Sequence, residues 1–381
     1  MGARKIEAWH KAGIIDAATR DAIIAYEADN ARPVALWAVF GIGALAIALG
    51  LISVVAANWE EIPGLFRLAV HLALIATGLG ALALREQKLA ARSPFVVEAL
   101  LFITGALGLT FFGHLGQVYQ TDSPLWQPLG LWLVLFAPLL FMMGRGWPVA
   151  TALMGVLLWA VWDYADSAER ISGALRGGME MALWLALVTS LPVLAAPLAG
   201  SLRGKSARSE FWRQLEQIAL AYAVAGASFA AAMASAGVFS SSDAATTTAA
   251  MALRGAVGVA AGLALTALRP GLSGRMAGTI IAGAGLVLPL AYALNDLDIP
   301  AAALFMVLWA GIAAAALKAG WRGVFQLAVG VIAARLIILS FELASDLLLS
   351  GFGLIAAGLL VLGVGWGALK VSRRFAPENA A

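Results

Sequence analysis

The chain has 381 residues, of which 62% are hydrophobic and only 12% charged, with a mean hydropathy of +0.89. Soluble domains carry roughly 25% charged residues, so a water-soluble globular fold is excluded and an integral membrane protein is implied. The absence of Cys excludes disulfide frameworks, thiolate nucleophiles and Cys-based zinc or iron-sulfur sites. A net charge of +3 in such a chain reads as basic cytoplasmic loops and not as affinity for nucleic acid.

Residues 1–33 are polar and of mixed charge, without an apolar run ahead of a small-residue cleavage site, so no cleaved signal peptide is expected. Ile6 and Trp9, then Ile23 and Ile24, recur at helical spacing around Gly13. They predict two short helices over 3–12 and 17–28, with Gly13 as a left-handed C-cap and Asp16 as the next N-cap. This head is too small to hold a core by itself. It is expected to be a cytosolic helical hairpin that docks on the membrane domain or on a cytosolic partner.

Apolar runs long enough to cross a bilayer then follow one another. They fall near 34–57, 65–84, 95–113, 128–143, 148–162, 179–199, 215–239, 251–268, 277–294, 301–317, 324–341 and 347–369. The expected fold is all-α, a polytopic transmembrane bundle of about twelve spans over 34–369 followed by a basic tail over 370–381. Placing both termini and the even-numbered loops on one side gathers all of the 25 basic residues there except Arg67, Arg170, Arg176, Arg254 and Arg335. The positive-inside rule then makes that side cytoplasmic and predicts a multi-pass protein with both termini in the cytoplasm. Trp37, Trp147, Trp212, Trp321 and Trp366 near inner ends, with Trp59, Trp126, Trp159 and Trp162 near outer ends, form the matching interfacial belts. Most of the 41 Gly residues lie inside spans, where they let helix backbones approach. Pro138, Pro192, Pro197 and Pro289 are positions at which a helix can break.

The first step between spans is Asn58-Trp59-Glu60-Glu61-Ile62-Pro63, read as the turn of a membrane hairpin. Asn58 suits the cap, Trp59 the headgroup level and Pro63 the first turn of the returning helix, so these three are assigned structural roles. Two adjacent carboxylates are not needed to make a turn, which singles out Glu60 and Glu61. The other outward segments are also acidic and polar. Gln117, Tyr119 and Asp122, then Asp163, then Asn295 and Asp296, and finally Glu342 are read with Glu60 and Glu61 as the lining of an outer-face site. Asn295-x-x-x-Ile299-Pro300 repeats the form of Asn58-x-x-x-Ile62-Pro63, as a duplicated transporter would. Within the bilayer, Arg335 is expected to face the bundle and find a partner, with Glu342 two helical turns along the same face. The three His residues lie far apart in the chain and no Gly-rich loop ends in Gly-Lys-Ser or Gly-Lys-Thr, so no metal, nucleotide or other cofactor is expected.

Trp9, Gly13, Ile14, Ile15 and Asp16 of the head, the Asn58-Trp59 step ending in Pro63, and Gly116-Gln117-Val118-Tyr119-Gln120 together resemble a family of predicted bacterial membrane proteins catalogued as domain of unknown function 2157. The resemblance covers roughly the first 150 residues and implies an inner-membrane protein with a cytosolic head. It brings no activity or catalytic residue with it. The functions weighed from the residues are a secondary transporter or a lipid or envelope-precursor translocase with a polar outer-face cavity, a membrane-embedded enzyme acting on a lipid-linked substrate through Glu60 and Glu61, and a scaffold or sensor of envelope state.

Overall fold

The structure, a computed structural model, describes residues 3–29 and 61–343, apart from 93, 122, 176–177, 240–242 and 296, and parts of 355–371. The chain forms two compact units, Met1–Arg67 and Leu68–Ala381. In the first, α1 (Ala3–Lys11) and α2 (Ala17–Asp29) contact each other. Gly13 takes φ +70°, which lets its N–H reach His10 O and the Ile14 N–H reach Trp9 O, so the last carbonyls of α1 are satisfied in the expected Schellman pattern. Asp16 caps α2 by accepting from the Thr19 N–H at 2.7 Å.

The described residues of the second unit form helices joined by short turns, with no strand among them. Its helices are α3 (Gly64–Arg92, which begins in the first unit), α4 (Pro94–Tyr119), α5 (Trp126–Met143), α6 (Trp147–Leu175), α7 (Met179–Ser190), α8 (Ala195–Arg203), α9 (Ser209–Ser235), α10 (Ala244–Leu268), α11 (Leu272–Ala293), α12 (Asp298–Ala319) and α13 (Arg322–Leu343). Among the described residues ten stretches are long and apolar enough to span a bilayer, α7 and α8 together making one of them. They coincide with the ten expected spans between 65 and 341, including the short pair at 128–143 and 148–162. The expected span at 34–57 lies outside the described residues, and that at 347–369 is described only in part. Large apolar side chains such as Val134, Phe229 and Val307 are more than 60% exposed. In water such a surface would aggregate, whereas in hydrocarbon it is solvated, and helices satisfy their own backbone polar groups there.

Two cores share α9. Phe211, Trp212, Leu215 and Ala219 near its start pack with Trp132, Leu140, Val149 and Leu101. Ala227, Ala230, Ala231 and Ala234 near its end pack with Ala284, Ala291, Phe305 and Ala316. Among the described residues the most extensive helix–helix contact is that of α10 with α11, and glycine explains it. A Cβ on Gly258 would lie 2.8 Å from Gly285 Cα, and one on Gly255 would lie 2.8 Å from Gly285 O. Pro289, four residues beyond Gly285, has no N–H to offer that carbonyl, and Gly255 makes the room for it.

The prolines behave differently from one another. Pro138 and Pro289 sit inside continuous helices, while Pro192 lies in a 3₁₀ turn, Leu191–Leu194, between α7 and α8. At that break the Tyr222 hydroxyl donates to Thr189 O at 2.6 Å, supplying a partner to a carbonyl of the interrupted ladder.

Candidate functional site

At the end of the bundle assigned outside, α4 finishes in the Gly116-Gln117-Val118-Tyr119-Gln120 stretch. Gln120 turns the chain with φ +50°, and Thr121 N–H returns to Gly116 O at 3.1 Å. The turn bends the chain away before α5, leaving a groove of about 770 Å³. Gln117, Tyr119, Thr121, Ser123, Gln127 and Trp159 provide its polar and aromatic lining, while Gly113 and Gly116 leave its wall open. No described lining residue carries a charge. One turn deeper, His71 of α3 meets His114 of α4, with 3.4 Å between their Nδ1 atoms, and His71 Nε2 lies 2.9 Å from Leu107 O. Because a carbonyl only accepts, His71 donates to Leu107 O from Nε2.

The other expected site residues are placed elsewhere. Asp163 of α6 accepts from the Trp126 N–H at 2.8 Å, so its carboxylate caps the start of α5 from a neighbouring helix. Beside it, Trp126 meets Tyr164 edge-on at 5.2 Å, and Trp184 Nε1 donates to the Tyr164 hydroxyl at 2.8 Å. Asn295 clasps the turn after α9, accepting from Phe239 N at 3.0 Å and donating to Phe239 O at 3.2 Å. Arg335 is buried, donates to Ser235 Oγ and lies over the Phe305 ring at 5.9 Å. Gln117 and Tyr119 are therefore the expected residues that share one groove. Asp163, Asn295 and Arg335 do not line it. Glu61 and Pro63 belong to the first unit and are exposed. Asn58, Trp59, Glu60, Asp122, Asp296 and the Glu342 side chain lie outside the described residues.

Arg254 is a difference from the sequence reading, which counted it with the outer side. Asp243 caps α10 by accepting from Ala245 N and Thr246 N at 3.1 and 3.2 Å, and the Thr246 hydroxyl helps hold its carboxylate below the usual Asp range. Thr247 and Thr248 return their hydroxyls to helix carbonyls, so the polar Thr run continues the helix instead of ending it. Arg254 then sits ten residues into α10, about 15 Å along its axis at 1.5 Å per residue. It lines a cavity of about 230 Å³ with Trp162, Tyr222 and Met251.

The basic end of the bundle holds the denser polar arrangement. Glu98, a buried carboxyl near the start of α4, accepts from Arg145 N at 2.8 Å and Val149 N at 3.0 Å, at the start of α6. The Arg145 guanidinium pairs with Glu86. Arg208 donates to Phe141 O at 2.6 Å and Gly144 O at 3.3 Å, closing the C-terminus of α5 with a cation while lying over Trp212. Burial first, then repulsion by Arg145, pulls the Arg208 guanidinium below its ordinary pKa. Farther along, Glu216 of α9 is buried and pairs with Arg269 and, at 3.5 Å, with Arg203. Sequence reasoning missed Glu216. The signal was present, since it is a carboxylate just inside the expected span 215–239, on the side where basic residues collect.

A family model described as "Predicted membrane protein (DUF2157)" matches residues 7–149, the region on which the resemblance was drawn. The matched stretch includes Gln117 and Tyr119 of the groove and the Glu86, Glu98 and Arg145 lock, and it stops before Arg208 and Glu216. No curated protein and no solved structure matches the chain.

Proposed function

We propose that this multi-pass membrane protein is a translocase or carrier for a lipid with an uncharged, hydroxyl-rich headgroup, bound first in the groove at the end of α4. Under this reading the groove faces outward from a bacterial inner membrane and both termini are cytoplasmic, as the distribution of basic residues favours. The observation that carries it is the groove lining. Amides and hydroxyls both donate and accept, so Gln117, Gln127, Thr121 and Ser123 can pair with hydroxyls in either direction, and Tyr119 and Trp159 offer ring faces to the apolar side of a sugar. A charged headgroup would meet no counter-charge among the described lining residues.

The test is lipid exchange across vesicles containing the purified protein, with one tail-labelled reporter lipid bearing a sugar and another bearing phosphocholine. Faster movement of the sugar lipid is expected. Tyr119→Ala and Gln117→Ala should each slow it by about three- to ten-fold, the size of a lost aromatic or hydrogen-bond contact. Equal movement of both lipids, or no change in either variant, would sink the reading.

A further inference from the structure

The cavity at the basic end is a second site, independent of the outer groove. It has a volume of about 560 Å³, in the range of small-molecule pockets. Glu216, Arg203 and Arg269 stand at one end. From there the wall follows α9 to Ser228, twelve residues or about 18 Å along the helix axis. Leu220, Val224, Ile280, Ile312 and Leu327 make this wall apolar, and beside Ser228 stands Trp309, whose Nε1 donates to Ser228 Oγ at 3.1 Å.

The charges at the mouth do not balance. Two guanidiniums face one carboxylate, leaving one positive charge beside an apolar tunnel. Arg269 is the better held of the two, paired with the buried Glu216. The Arg203 side chain is 29% exposed and pairs with Glu216 at 3.5 Å, while Glu210, near enough to feel its charge, is itself paired with Arg213. A guanidinium carries five N–H donors, so Arg203 retains donors for another anion. An apolar tunnel of this length with a cation at its mouth is complementary to one molecule class.

We propose that this cavity binds an anionic membrane lipid, with its phosphate at Arg203 and Arg269 and one acyl chain along α9 toward Trp309. The apolar wall distinguishes this ligand from free phosphate, which would use only the mouth. The net positive charge distinguishes it from a zwitterionic lipid, whose own cation would be repelled.

Trp309 and Trp321 line the cavity and serve as the reporters. The full-length protein is placed in phosphatidylcholine vesicles containing brominated-chain phosphatidylglycerol or, in the second arm, brominated-chain phosphatidylcholine, and quenching of Trp fluorescence is followed. The signal from the cavity is the quenching lost in a Trp309→Phe, Trp321→Phe variant. That component should saturate at a mole fraction of phosphatidylglycerol about ten-fold below that of phosphatidylcholine, and Arg203→Gln should remove most of the difference. Ala221→Phe, which fills the tunnel without touching a charge, should abolish the component while the lipid-exchange rate of the outer groove stays unchanged. Equal saturation by the two lipids overturns the proposal, as does an unaltered component in Ala221→Phe. Displacement of the lipid by inorganic phosphate alone would reassign the mouth as a plain anion site.

Discussion

Glu98 shows how a single carboxylate can hold a helix boundary inside a membrane protein. It is 6% exposed and accepts two backbone N–H groups at the start of α6, groups that have no partner within the helix. Glu98→Gln replaces one acceptor by an amide that donates, so one buried N–H loses its partner at a cost of about 1 to 3 kcal/mol. The expected outcome is a lower unfolding temperature in detergent, while Glu61→Gln, at an exposed position, leaves it unchanged. Asp16 gives the pH-dependent case. Hydrogen bonds from the side chain and backbone of Thr19 hold its carboxyl below the ordinary value, so its capping contribution is complete above the unfolded pKa of about 3.9 and is lost as pH falls through the lower folded value. Hydrogen exchange in α2 should therefore be faster in Asp16→Ala than in wild type at neutral pH, and the gap should close as the solution is acidified through that window.

The helix pair α10 and α11 is set by what its residues lack. Gly258→Ala would put a methyl 2.8 Å from Gly285 Cα, against backbone that cannot move aside as a side chain can. Overpacking of this kind costs about 1 to 3 kcal/mol, so a clear drop in thermal stability is expected. Gly311→Ala is the control, because nothing lies within 4 Å of its added methyl and alanine is the better helix former by about 1 kcal/mol. It should be neutral or slightly stabilising. Equal destabilisation by both would mean that helix propensity, and not the close approach, governs these positions.

For the molecule as a whole, the orientation is open to a clean measurement because the chain has no Cys of its own. A single Cys at Ser123, in the turn between α4 and α5, should react with a membrane-impermeant maleimide in intact cells. One at Ser206, between α8 and α9, should react only after lysis. The reverse pattern would invert the proposed topology and move the groove to the cytoplasm. The two proposed sites also lie apart in the molecule. A neutral groove and a positively charged cavity lie at different ends of the spans, and α9 lines the cavity while its start and end belong to different cores.

Span positions were legible because hydrocarbon imposes a local condition. A run of apolar residues of sufficient length must become helix, whatever its neighbours, and each of the ten spans between 65 and 341 followed from that alone. The caps at Gly13 and Asp16 were legible for the same reason, since each satisfies groups within five residues of itself. The groove residues Gln117 and Tyr119 could be singled out by composition, but that they share a surface with Gln127 and Trp159 depends on how α4, α5 and α6 pack. Asp163 looked like a ligand-binding carboxylate because nothing in its own segment reveals that the unbonded N–H it serves lies 37 residues earlier. Glu216 was passed over because its two arginines come from the ends of two other helices. Which segments are apolar enough to enter the membrane is written in the local run of residues. Which polar groups meet there follows from packing, because the buried Glu98, Glu216 and Arg335 find partners distant in the chain.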